Sequence, residues 1–128
     1  MHGKNIEVVI VEDDNDTAEM LAEMARVGGY RVYLYHGART ALTALQRFTP
    51  DVIVLDIMMP EISGLEALQR IRASDRLHGI PVILLSAKST PLEIQEGLEA
   101  GANLYLTKPI RFDELSQAIE EVLTTTKS

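Results

Sequence analysis

Five polar side chains carry the chemistry available to this sequence: Glu12 and Asp13 in "VVIVEDDNDT", Asp56 closing "DVIVLD", Ser86 closing "PVILLS", and Lys108 just after "NLYLT". Each follows a run of apolar residues, so each stands where a buried strand would reach the surface. Two unit charges about 4 Å apart interact by roughly 4 kcal/mol at an effective dielectric near 20, so three carboxylates gathered at one site need cations. Lys108 supplies one. A divalent ion supplies the other, and oxygen donors without Cys or His suit a hard ion. Mg2+, with Mn2+ as a substitute, fits better than Ca2+, because one or two carboxylates, waters and a phosphate oxygen complete its octahedron. A carboxylate beside Mg2+ and an ammonium group can take up a phosphoryl group, since both cations neutralise its equatorial oxygens.

The elements that would position these groups are short apolar runs alternating with helical patterns. Ile6 to Val11, Tyr30 to Tyr35, Asp51 to Asp56, Pro81 to Ser86 and Asn103 to Thr107 read as strands. The third and fourth are apolar without alternation, as in strands covered on both faces. A capping box from Asp16 to Glu19 opens the first helix, which carries Ala18, Leu21, Ala22 and Ala25 on one face and stops at Gly28 and Gly29. Ala38 to Phe48, ended by Pro50, and Gly64 to Ala73 follow. Pro91 then begins a helix closed by Gly101, and Leu115, Ile119 and Val122 define the last. Five βα units in succession imply a parallel sheet wrapped by helices on both faces, with ligands at the carboxyl ends of the strands.

Length and charge narrow the function. The 128 residues suffice for one domain with a core over about 5–124, followed by a frayed "TTTKS" tail. Twelve basic against 19 acidic residues give a net charge of −7, which argues against direct binding of nucleic acid or anionic membrane. No cysteine is present, so disulfides, thiol nucleophiles and thiolate zinc sites are out. His2, His36 and His78 share no ligand spacing. No apolar run approaches a membrane span or a signal core, and a cytoplasmic protein is expected.

"VEDD", "LDIMMPEISGLE", "PVILLSA", the Gly101–Ala102 pair and "YLTKP" together resemble, in order and spacing, the receiver domain of bacterial two-component response regulators, and chemotaxis regulators among them. The resemblance spans essentially the whole chain and implies a flavodoxin-like doubly wound sheet of order 2-1-3-4-5. It makes Asp56 the phosphoacceptor, Asp13 a direct Mg2+ ligand, Glu12 a ligand mostly through water, and the main-chain carbonyl of Met58 a further ligand. Lys108 would pair with the phosphoryl oxygens across a cis Lys108–Pro109 peptide, Ser86 would donate its hydroxyl, and Tyr105 would be an aromatic switch. Met58 and Lys88 would tune the rate of dephosphorylation. The implied partners are a sensor histidine kinase or histidine phosphotransfer protein, and a downstream target or an output domain absent from this chain. No multiple-turnover enzyme activity is implied.

Ile110 stands where the family usually has an aromatic, and Ser86 where Thr is equally common. The last helix carries Glu120 and Glu121 and no arginine after Arg111, unlike the alternating charges that pair receiver dimers of the winged-helix class. Two other readings are weaker. A related phosphatase would have a second Asp two residues after the nucleophile, where Met58 stands. A nucleotide or flavin binder would have a phosphate-cradling first loop, which "EDDND" would repel.

Overall fold

The computed structural model describes residues 5–127, with side chains described for 5–125. Five strands, β1 (Glu7–Val11), β2 (Arg31–Tyr35), β3 (Val52–Asp56), β4 (Val82–Ser86) and β5 (Leu104–Thr107), form one parallel sheet of order β2-β1-β3-β4-β5. They alternate with α1 (Asn15–Val27), α2 (Ala38–Leu45), α3 (Gly64–Ala73), α4 (Pro91–Glu99) and α5 (Phe112–Lys127). This is the flavodoxin-like arrangement expected from the sequence. Every residue of β3 and β4 is buried, which explains their unbroken apolar character.

Period-2 alternation divides the sheet's side chains between two cores. Val8 and Ile10, Val52 and Val54, and Ile83 and Leu85 pack with α1 and α5 residues such as Leu21, Leu115 and Ile119. Val9, Ile53, Leu55, Val82 and Leu84 pack with Ala41, Leu45, Leu68 and Ile71 of α2 and α3 on the other face. No helix among the described residues is long and apolar enough to cross a membrane.

Each strand begins one residue later than the sequence reading, and three helix ends differ from it. Asp14, not Asp16, caps α1: its backbone is extended, its carbonyl accepts from Ala18 N at 2.8 Å, and its carboxylate accepts from Thr17 N at 2.9 Å. Asp16 lies inside the first turn, where it complements the helix dipole. The second helix ends at Leu45 rather than Phe48. Arg76, from the segment after α3, donates to the carbonyls of Leu45 and Phe48 and to Thr49 Oγ1, giving the last carbonyls a partner outside the helix. Thr124 to Lys127, expected to fray, continue α5; Ser128 lies outside the described residues.

Candidate functional site

Register alone brings the candidate residues together. Val11 pairs with Leu55, so Glu12 follows β1 directly beside Asp56 at the end of β3; Asp56 pairs with Leu85, one residue before Ser86. Ser86 pairs with Thr107, and Lys108 N donates to Ser86 O at 2.9 Å. Alternation then assigns faces. Glu12 continues the row of Val8 and Ile10, Asp56 that of Val52 and Val54, and Lys108 that of Leu104 and Leu106, so all three belong to the α1–α5 side. Ser86 and Tyr105 continue the rows on the α2–α3 side, the side that α4 joins through Gly97 and Tyr105.

On the first side the geometry is charged and dry. Glu12 and Asp56 are 1% and 2% exposed, and Lys108 Nζ lies 2.7 Å from Glu12 Oε1 and 3.1 Å from Asp56 Oδ1. Those two oxygens are nonetheless buried without a well-directed hydrogen bond among the described residues. The single ammonium compensates their charge but leaves acceptor capacity open. Burial, and then the Glu12 charge, push the Asp56 carboxyl up to about 6 against the pull of Lys108 and of a hydrogen bond from the Met58 main chain. Asp13 is exposed at the rim, and one oxygen each of Glu12, Asp13 and Asp56 lie within 4.8 Å of one another. Three carboxylates that offer only oxygen donors and share one ammonium fit a hard divalent cation. Glu12 also accepts from Asp14 N at 3.2 Å, which orients its carboxylate.

The second side is a narrow cleft of about 90 Å³ lined by Met58, Ser86, Lys88, Glu93, Glu96 and Tyr105 among others. Ser86 Oγ is buried and accepts from Lys88 N at 3.0 Å, while the Tyr105 hydroxyl donates to the Lys88 carbonyl. One peptide segment thus connects Ser86 to Tyr105. The Lys108–Pro109 peptide is cis. Met58 is 53% exposed, and Lys88 is exposed at the cleft's edge.

Two glycines matter here that the residue chemistry did not single out. A Cβ on Gly64 would lie 2.2 Å from the Asp56 carbonyl oxygen and 2.7 Å from Ile57 Cα, so only glycine lets α3 start against the phosphoacceptor candidate's own backbone. Gly64→Ala is expected to cost about 3 kcal/mol or more, because backbone must move, and to displace Asp56. Urea unfolding compared with Gly79→Ala, whose added Cβ meets nothing within 4 Å, would test this. Gly97 brings α4 onto Leu84 and Tyr105, its Cβ position lying 2.9 Å from Leu84 Cδ1 and 3.0 Å from Tyr105 Cδ2. A glycine inside a helix costs about 1 kcal/mol relative to Ala, and that unexplained cost was the available sequence signal.

The response regulator receiver domain family matches residues 8–120. The response regulator MprA of Mycobacterium tuberculosis is 34% identical over 123 residues, covering 96% of this chain and 53% of that protein. The chain spans about half the length of the curated relatives it matches. The receiver domain of a Francisella response regulator is 31% identical with a TM-score of 0.89, covering 95% of this chain and 99% of that one. The receiver domain of a sensor histidine kinase from Pseudomonas aeruginosa, solved with a magnesium ion coordinated in its active site cleft, is 30% identical with a TM-score of 0.87, covering 94% and 99%.

Proposed function

This chain belongs to the response regulator receiver domain family of two-component signalling, and from that premise we propose that Asp56 is its phosphoacceptor, served by Lys108, Ser86 and an Mg2+ site. The observation that carries the assignment is the pairing of a buried Asp56 with Lys108 Nζ at 3.1 Å, with Glu12 and Asp13 oxygens within 4.8 Å of its carboxylate. An Asp56 carboxylate oxygen attacks phosphorus; the bond to the donor, the imidazole nitrogen of a phosphohistidine or the oxygen of a small acyl phosphate, breaks and the donor leaves with the electron pair. Glu12, Asp13, Asp56 and the Met58 carbonyl would hold Mg2+, which when bound neutralises charge on the transferring group. Mn2+ would substitute.

Lys108 stays in place and turns from the Asp56 carboxylate to the new phosphoryl oxygens. The Ser86 hydroxyl, whose oxygen already accepts from Lys88 N, has its proton available to donate to them. Because Lys88 also holds Tyr105, movement of Ser86 biases Tyr105 and with it α4, β5 and α5, which is a population shift driven by one charge-changing modification. The chain modifies itself once per cycle and turns over no separate substrate. The phosphoryl source is a sensor histidine kinase or histidine phosphotransfer protein in the cytoplasm. Residues 1–128 act as a single receiver unit, with output through a downstream protein or a domain outside this sequence.

Incubation with acetyl phosphate and Mg2+, read by intact-protein mass spectrometry, tests the proposal. A single phosphoryl adduct that disappears in Asp56→Asn and with EDTA supports it; no adduct on the folded native chain overturns it. The apolar Met58 cannot orient a hydrolytic water, and Lys88, at the cleft's edge, would reach the phosphoryl oxygens from the rim, so slow self-hydrolysis is expected. Met58→Ala or Lys88→Ala should shorten the phosphoryl half-life several-fold, and unchanged or longer half-lives in both would remove that role.

A further inference from the structure

We infer that the face formed by α4, the outer edge of β5 and α5 docks a cationic amphipathic helix of another protein and does not pair with a second copy of this chain. This rests on the receiver reading, since it names the partner chemistry of the surface that phosphorylation would switch.

The face is acidic on both margins and apolar between them. Glu93 and Glu96 line the cleft beside Ser86, so the opposite flank of α4, carrying Leu98 and the hydrogen-bonded Gln95–Glu99 pair, turns toward the β5 edge. Leu98 is 44% exposed. β5 is the outermost strand, and its Leu104 and Leu106 are only partly buried. On α5 the Tyr30 hydroxyl bonds Glu120 and ties that flank toward β2. Glu114, Gln117 and Glu121 recur at i, i+3 and i+7 and form the stripe on the other flank. Across the face the order is therefore Glu99, then apolar surface, then Glu114 and Glu121.

Cations near that charge are few: the exposed Lys88 lies before α4, at the edge of the cleft that Glu93 and Glu96 line. α4 has no Lys or Arg, and α5 has none before Lys127. Lys108 is engaged by Glu12 and Asp56, and Arg111 by Asp113 at 3.2 Å. A two-fold contact places a patch against its own copy, so Glu99, Glu114 and Glu121 would meet like charge. A head-to-tail contact finds few cations on the α2–α3 side: Arg39 pairs with Glu61, Arg70 with Glu66, and Arg72 and Arg76 donate to backbone carbonyls, which leaves the exposed Arg31 and Arg47, two cations against three glutamates. A helix with Leu along one face and Lys or Arg along its borders satisfies both the apolar strip and its margins, and long-range attraction speeds the encounter.

The test uses a fluorescent peptide of Leu and Lys at helical period, about 18 residues long, titrated with the whole chain and followed by anisotropy. The double reversal Glu99→Lys with Glu121→Lys is compared with Glu19→Lys with Glu23→Lys on α1, an equal change in net charge at exposed sites. Loss of roughly tenfold in affinity from the first pair, against less than about twofold from the second, is expected, and Leu98→Asp should also weaken binding. Equal losses from both pairs would mean attraction by net charge alone and would overturn the inference. A native dimer in sedimentation velocity that the Glu99/Glu121 reversal dissociates would overturn it in favour of self-association. Phosphoryl uptake at Asp56, measured on the same samples, separates the two levels: uptake with no face-specific binding removes only the docking inference, whereas no uptake by the native chain removes the receiver reading beneath it.

Discussion

Asp56→Asn is expected to abolish phosphoryl uptake and, in the same protein, to raise the stability of the fold by roughly 2 kcal/mol at pH 7. The two effects have one origin. Burial foremost, and then the neighbouring Glu12 charge, push the carboxyl up to about 6, against an ordinary value of 3.8. An acid whose folded pKa lies above its unfolded value binds its proton more tightly when folded, so stability is fully present below pH about 4 and is lost as pH rises through 6. At pH 7 the native chain carries the whole cost, about 1.4 kcal/mol for every tenfold by which folding weakens the acid. The amide removes that cost, and loss of the Lys108 contact takes back part of the gain. Denaturant unfolding at several pH values measures this: the variant should lead at pH 7 and the gap should close as pH falls from 6 to 4. Mg2+ should stabilise the native chain more than the variant. A variant less stable than the native chain at pH 7 would mean that Lys108 already compensates the carboxylate fully.

Lys108→Met is expected to lower stability by about 2 to 3 kcal/mol at pH 7 and to reduce phosphoryl uptake by roughly two orders of magnitude. Removing one partner of a buried ion cluster leaves its counterparts uncompensated, and here Glu12 and Asp56 both lose their ammonium. The lysine is 22% exposed, so water shares part of the load and the loss falls below that of a fully buried pair. Without Lys108 the Asp56 carboxyl loses the pull that lowers it and titrates higher still, so acid should restore stability as it takes up its proton. Saturating Mg2+ should restore it as well, by supplying the missing positive charge, whereas the loss of uptake should persist because the second cation on the phosphoryl oxygens is gone. A variant as stable as the native chain at pH 7, with or without Mg2+, would show that the carboxylates are hydrated enough to need no lysine.

Much of this site is visible in the sequence for a simple reason. A parallel strand buried on both faces must be apolar throughout, so the first polar residue after such a run marks its carboxyl end, and the topology gathers those ends. Glu12, Asp56 and Ser86 are marked in this way, and Lys108 follows the end of the edge strand β5. The cap of α1 was not legible, because Asp13, Asp14 and Asp16 are all good capping types and only backbone direction separates them. Asp14 is the one with an extended backbone and Thr17 N in reach. The end of α2 was hidden for another reason: its terminating donor, Arg76, comes from beyond α3.

The order of polar and apolar residues along the chain was enough to determine the alternating architecture, the family resemblance and the crowding of carboxylates that calls for cations, because these depend on local period and residue type. Which cations answer which carboxylates was decided only in three dimensions. Strand register sets Glu12 beside Asp56, and side-chain alternation sends Glu12, Asp56 and Lys108 to one face of the sheet and Ser86 and Tyr105 to the other. Close approach did the rest: Gly64 lets α3 begin against the Asp56 carbonyl, and Gly97 lets α4 rest on Tyr105, contacts between packed elements that no helical or strand period records.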